Sequence, residues 1–499
     1  MIIMIFSRLL ALLSTQVYMS FFGLSPELNI YSYAITVPNT IFNCFGTALS
    51  TVVIPIYAGH LAKGNDLRAK SFADNIITIS SIFTLILIGI GMAISPFIVK
   101  LTAFTGPEEY GFAVKSLMII MPVMLFYGLN YIFQGMLQSN DKYGWPAFVS
   151  VPSSLVVIFY VFTLGNKFGV TGLLVATLIG LSLQAIILIP PLLKTGYRYR
   201  PTLSLKDDDI KTAGKMTLNV LFGVSAYQLN MFYNVTMISR FEGMTTLLTY
   251  VQNIVVYMVL AFVYSVTAVL YPKLTSKAAV NDMDGYKESL NSVLSNIMLL
   301  LVPITIGFIV VREPLLELIA NWGKITPQDI KRASVMVIMY SVGIVGIGAK
   351  EILDRAFYAI KNTKIPAING FIVMGVNVAL SLILINIKEI GAYGIPLAYS
   401  VSSLVGSMVL LIFLKKKIGS YLKGFFGKFS KALLASVVMG AAVLITSGIV
   451  CEIFADTGII DRLISLIVPV FVGILAYGVM LVILKVDVVT QVIDKIKTR

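Results

Sequence analysis

Charge is scarce in this chain. Asp, Glu, Lys and Arg make up 12% of its 499 residues, against about 25% in an ordinary soluble domain. With 58% hydrophobic residues and a mean hydropathy of +0.90, it has too little polar surface to cover a soluble fold. Cysteine is nearly absent: Cys44 and Cys451 lie in different apolar stretches, which argues against a disulfide framework or a Cys-based metal site. The single histidine, His60, rules out His-cluster chemistry. There is no nucleophile–His pair, no metal-ligand cluster and no glycine-rich phosphate loop followed by Lys. The expectation is a protein that is not an enzyme, with no catalytic residues, no metal ligands and no cofactor. The opening "MIIMIFSRLLALLSTQVYMSFFG" has neither a basic leader region nor a small-residue cleavage site, so it reads as a first membrane span.

The most informative absence is inside the spans. No Asp or Glu falls in the middle of one; Asp74, Glu351, Asp354 and Glu452 all fall at predicted span ends. Carriers driven by protons or sodium usually hold a carboxylate within the membrane, where it titrates or ligates the ion. Its absence counts against a carboxylate-driven drug antiporter. Coupling through neutral oxygens or the membrane potential stays open, with the ion unspecified.

What is present is a series of long apolar runs, the mark of helices that cross lipid. The predicted spans are 1–23, 28–58, 72–98, 113–137, 147–164, 170–193, 216–239, 247–272, 290–311, 333–353, 366–387, 391–414, 431–451 and 463–484. With both termini in the cytoplasm, roughly 25 of the 38 Lys and Arg fall on the cytoplasmic side and about 10 outside. The net charge of +14 is therefore read as topology, and nucleic acid is not expected as a partner. Basic loops such as "KTGYRYRPTLSLKDDDIKTAGK" (194–215) and "LKKKIGSYLKGFFGKFSK" (414–431) face the cytoplasm in this scheme.

The chain also resembles itself at a spacing near 220 residues. "STVVIPIYAGHLAKGND" (50–66) matches "TAVLYPKLTSKAAVNDMD" (267–284), Pro55 on Pro272. "QSNDKYGWPAF" matches "AIKNTKIPAIN", Pro146 on Pro366, and "NKFGVTG" matches "KEIGAYG", Gly169 on Gly391 and Gly172 on Gly394. Each repeat holds an even number of spans, so both keep one orientation, and transporters of this kind take substrate between their halves. The expected fold is an all-α polytopic membrane protein: fourteen transmembrane helices as two parallel six-helix repeats plus two C-terminal helices. The segments are 1–193, a cytoplasmic linker 194–215, 216–414, a basic linker 415–430, and 431–499 with the two added helices and a short tail.

Uncharged polar residues gather in spans one, two, seven and eight. Gln16, Asn29, Asn39, Asn43, Gln228, Asn230, Asn234, Gln252 and Asn253 are candidate substrate contacts, because amides in hydrocarbon need partners or a wet cavity and suit sugar hydroxyls and peptide groups. Arg8 is the one clear cation inside an apolar stretch and suits a phosphate. Pro38 and Pro122 should bend their helices. In "AKEILDRAFYAIKNTKIP" the charges Lys350, Glu351, Asp354 and Arg355 close span ten. Their i,i+4 spacing pairs Lys350 with Asp354 and Glu351 with Arg355, as an ion-paired helix end or as a gate at the cytoplasmic mouth.

"FSRLLALLSTQVYMSFFG", "VPNTIFNCFGTALSTVVIPIYA" and "DRAFYAIKNTKIP" together resemble the lipid II flippase (MurJ/MviN) family of the multidrug/oligosaccharidyl-lipid/polysaccharide exporter (MOP, MATE-like) superfamily. The resemblance implies a bacterial inner-membrane protein of cell-wall biogenesis. It would flip undecaprenyl-diphosphate-linked peptidoglycan precursor from the cytoplasmic to the outer leaflet by alternating access. Its partners would be that polyprenyl-diphosphate-linked glycan lipid, the bilayer, and other cell-wall synthesis proteins. Arg8 matches the family's first cavity arginine. Ser14, Ile41 or Phe42, and Asn253 stand where the family places further basic residues, and Asn29 where it places an acid. An exporter of another polyprenyl-linked oligosaccharide of capsule or teichoic type is the alternative reading; a multidrug antiporter or a non-transporting scaffold fits less well.

Overall fold

The computed structural model of the protein describes residues 2–104, 106–320, 322–453 and 458–486, and they contain helices and no strand. By packing the chain divides into two units, residues 1–247 and 248–499. The first holds α1 (Ile2–Phe22), α2 (Pro26–Ala62), α3 (Asp66–Lys100), α4 (Pro107–Ile120), α5 (Val123–Ser139), α6 (Gly144–Phe148), α7 (Val151–Ile186), α8 (Ile189–Leu193) and α9 (Asp208–Ile238). The division falls inside α10 (Met244–Gln252). The second unit continues through a π-helical turn, Asn253–Tyr257, into α11 (Met258–Ala279), α12 (Met283–Ile319), α13 (Pro327–Ser341) and α14 (Ile344–Ala359). It ends with α15 (Lys364–Ile385), α16 (Gly394–Ile418), α17 (Phe425–Ile453) and α18 (Ile459–Ile483).

Local chemistry sets the helix ends. Ser25 caps α2, accepting from Leu28 N, with Pro26 at the first position and Glu27 in the first turn. Thr326 and Asp329 form a reciprocal capping box ahead of α13. Asp207 caps α9, which starts at Asp208, eight residues ahead of the predicted span; the acids Asp208 and Asp209 suit the positive end of its dipole. Pro122 interrupts the helix between α4 and α5 as expected, whereas α2 runs unbroken through Pro38 and Pro55.

Among the described residues, nine helical stretches are long and apolar enough to cross a membrane, or ten if α13 and α14, bent by 42°, count as one span. The chain is a multi-pass membrane protein. One of the nine, 144–193, doubles back. Gly169 breaks α7 at φ 55°, ψ −149°, a conformation that suits glycine alone. The two arms then lie side by side: Gln184 donates to Ser153 Oγ at 2.8 Å, and Tyr160 OH to Gly169 O at 2.7 Å. The break falls between the predicted spans 147–164 and 170–193.

The repeat is also written into the backbone. Left-handed residues recur at matching places: Gly23 and Gly243 (φ 70° and 73°), Gly64 and Asn281 (69° and 57°), Asp141 and Lys361 (57° each), and Gly169 and Gly391 (55° and 50°). Asp141 and Lys361 each lie five residues before the aligned prolines Pro146 and Pro366. Lysine gains nothing from this conformation, which costs an L-residue roughly 1–2 kcal/mol. The turn is therefore imposed by the helices around it.

The loops that follow each repeat are docked in a common way. After Gly196 (φ 75°) the chain lies along α3: Tyr197 OH donates to Asp74 at 2.6 Å and Arg200 N to the same oxygen at 3.1 Å. Asn75 exchanges two bonds with the Ser204 backbone, and Thr202 N donates to Thr78. Burial pushes the Tyr197 hydroxyl well above its ordinary pKa, and the bond to Asp74 raises it further, so it remains a donor at physiological pH. Arg68 then bridges Asp207 and Asp209 at 2.9 and 2.8 Å, with His60 Nε2 3.0 Å from Asp209. In the second unit, Gly419 (φ 82°) precedes a buried Tyr421, and Asn291 of α12 donates to Lys423 O at 2.9 Å. Both loops are thus fastened by an asparagine near the start of a helix in their own unit.

Candidate functional site

The predicted polar residues take different places. Arg8 lies on α1, and its side chain falls outside the described residues. Gln16, also on α1, is buried and donates to Ser20 Oγ at 2.9 Å. On α2, Asn43 donates to Asn39 at 2.9 Å and accepts from Tyr131 OH of α5 at 3.0 Å; Phe42 stacks on Tyr131 beside them. This half-buried ladder brings two of the predicted amides together. On α9, Asn230 and Asn234 are buried and Gln228 is partly exposed.

Asn29 has a definite structural task. It is 2% exposed, and its amide oxygen accepts from Thr245 N at 2.9 Å and Thr246 N at 3.4 Å. Ser32 pairs with the Thr246 hydroxyl at 2.9 Å. Asn29 thus supplies, from α2, the acceptor that the first turn of α10 lacks locally. Asn29→Ala should lower stability by about 0.5–2 kcal/mol, the usual cost of losing a cap. Thermal unfolding in detergent measures it, with Asn29→Asp, which keeps the acceptor, closer to wild type.

In the second unit, Gln252 is buried at the end of α10, and Asn253 opens the π-helical turn, donating to Thr249 O at 2.9 Å. Such single turns widen a helix and are frequent at functional sites. Nothing in "TYVQNIVVYM" distinguishes it from an ordinary apolar helix. Sequence reasoning therefore flagged the amide and missed the backbone that presents it.

The charged turn of α14 forms both expected pairs: Lys350 Nζ to Asp354 at 2.8 Å and Arg355 to Glu351 at 3.1 Å. Asp354 is buried, and its other oxygen has no hydrogen-bond partner among the described residues. Tyr286 OH of α12 donates to Ala356 O at 2.6 Å, which fixes this end of α14 to the second unit's core.

One apolar feature lies apart from the amides. Phe262 of α11, Ile304 and Phe308 of α12, and Leu466, Val470 and Phe471 of α18 line a groove of about 640 Å³ with almost no polar surface. Its size and chemistry suit hydrocarbon.

Comparison with known proteins gives a consistent result. Residues 19–463 match the model of the family described as lipid II flippase MurJ. Among relatives, the probable lipid II flippase MurJ of Rickettsia prowazekii is 25% identical over 80% of this chain and 81% of its own length. The lipid II flippase MurJ of Thermosipho africanus is 25% identical over 82% and 83%. A solved lipid II flippase MurJ in an inward closed conformation superposes with a TM-score of 0.79 at 25% identity, over 96% of this chain and 97% of that one. An inward-facing MATE-family multidrug transporter of the MOP superfamily superposes with a TM-score of 0.70 at 16% identity, over 83% and 96%, and so shares the fold.

Proposed function

This chain belongs to the lipid II flippase MurJ family, and on that premise we propose that it moves lipid II, the polyprenyl-diphosphate-linked peptidoglycan precursor, from the cytoplasmic to the outer leaflet of a bacterial cell membrane. The family match over residues 19–463 carries the reading. Both termini lie in the cytoplasm in this scheme, as the distribution of Lys and Arg suggests.

The side chains then divide the work by chemistry. Arg8 contacts the diphosphate, for which a guanidinium is geometrically matched. The partly exposed amides, Asn39 and Asn43 of α2, Gln228 of α9 and Asn253, bond sugar hydroxyls and peptide groups, whereas the buried ones hold helices in place. The apolar groove of α11, α12 and α18 keeps the polyprenyl tail in a hydrocarbon environment. The charge turn 350–355 gates the cytoplasmic side. Outward movement of an anionic headgroup gains roughly 2.3 kcal/mol per charge per 100 mV of inside-negative potential, so the potential alone supplies a drive.

The test is complementation of a strain depleted of its own lipid II flippase, with lipid II exposure at the outer leaflet as the readout. This chain should restore exposure and growth, and Arg8→Ala should lower exposure about tenfold or more, the scale of one charge-assisted contact. Absence of rescue, with the protein correctly inserted, would reject lipid II as the substrate. Full activity of Arg8→Ala would reject the diphosphate contact.

A further inference from the structure

Between α11 and α12, where α11 ends and α12 begins, lies a second groove that the assignment above does not use. It has a volume of about 670 Å³, and its polar lining is Lys273, Lys277, Glu288 and three serines, Ser265, Ser289 and Ser292. The rest is aliphatic, with Val266, Val269 and Leu270 on the same face of α11 as the two lysines, and Val293 opposite. Along α11 the lining changes from aliphatic to cationic.

The cations are available. Lys273 is exposed and has no carboxylate or hydrogen-bond partner among the described residues. Lys277 donates one bond, to Gly285 O at 2.8 Å, which holds its ammonium at the turn and leaves two donors free. Of the neighbouring acids, Asp284 pairs with Lys287 at 3.4 Å, whereas Asp282 caps α12 through Gly285 N at 2.9 Å and keeps its second oxygen beside Gly285, on the side of Lys277. Glu288 is the one carboxylate in the lining, against the two lysines. Ser289 and Ser292, one turn apart on α12, add hydroxyl donors.

We propose that this groove is a docking site for the diphosphate headgroup of the polyprenyl-linked substrate, at the membrane face where that lipid is loaded. The proposal rests on the flippase reading and adds to it a place for the headgroup outside the amides. Lys273 and Lys277 are one helical turn apart, about 6 Å of rise. Two linked phosphates can therefore each take one ammonium, whereas a phospholipid's single phosphodiester satisfies only one. The aliphatic part of the groove accepts the first prenyl units.

The experiment uses the full chain in nanodiscs of zwitterionic lipid, with undecaprenyl diphosphate as the probe and inorganic pyrophosphate and phosphatidylglycerol as competitors. K273Q/K277Q should bind the probe about tenfold or more weakly, and K273R/K277R should recover most of the loss, because arginine keeps the charge. Pyrophosphate should compete and phosphatidylglycerol should not. Wild-type affinity in K273Q/K277Q, or no binding by the wild type, overturns the site. Equal displacement by phosphatidylglycerol overturns the choice of ligand. Complementation separates the two readings: if the wild type rescues and K273Q/K277Q binds normally, the site fails and the flippase assignment stands. If the wild type does not rescue, the flippase assignment fails.

Discussion

Asp354→Ala should leave little folded protein in the membrane. Asp354 holds Lys350 at 2.8 Å, with side-chain exposures of 10% and 27%. Removing the carboxylate strands a mostly buried ammonium beside a helix core, a change that costs about 3–5 kcal/mol, comparable to much of the stability a domain has. The second pair, Glu351 with Arg355 at 3.1 Å, is already neutralised and offers no replacement. The informative companion is the double change Lys350→Met with Asp354→Leu, which removes both charges and should fold, since apolar replacement of a buried pair is often neutral or stabilising. Thermal unfolding of detergent-solubilised protein reads the first effect, and complementation reads the second. A stable, inactive double variant would support a gate; a stable, active one would reduce the turn to a structural ion pair. Wild-type stability of Asp354→Ala would contradict the account of the pair altogether.

Gly346→Val should be equally severe, by a different route. At Gly346 a β-carbon would lie 2.7 Å from Leu404 N and 2.9 Å from Ser403 C, and at Gly343, one turn earlier, 2.6 Å from Ser400 Cα. These are backbone atoms of α16, so relief requires moving a helix rather than turning a side chain. Ser400 donates to Met339 O at 2.6 Å across the same contact. Overpacking of this kind costs about 1–3 kcal/mol even for a methyl group, and valine adds two more carbons. Loss of the monodisperse peak in size-exclusion chromatography is the expected result. Gly375, on α15, has nothing within 4 Å of a β-carbon, so Gly375→Ala should match wild type or improve on it, because alanine favours the helix.

The parts legible in the sequence are those decided by neighbours along the chain. The i,i+4 pairs of α14 and the break between the spans on either side of "NKFGVTG" follow from residues within a few positions of one another. The roles set by distant partners were not legible. Asn29 reads as a polar residue in an apolar span, and only its contact with Thr245, 216 residues away, shows that it caps a helix. Tyr197 and Arg200 sit in a stretch that reads as a free basic loop; their acceptor, Asp74, lies 123 residues from Tyr197. The π-helical turn at 253–257 had no local signal, because one extra residue in a helical turn leaves the apolar pattern almost unchanged. Lys273 and Lys277 were counted as topology, and only the gap between α11 and α12 sets them facing serines.

The docked loops bear on where this protein can flex. A connector of fourteen residues, 194–207, would ordinarily act as slack rope, paying out length whenever the helices it joins shift. Here its length is taken up at Tyr197, Arg200, Thr202 and Ser204, and its far end is moored by Arg68 at Asp207 and Asp209. With that slack taken up, any movement of the start of α9 against α3 must first break these bonds.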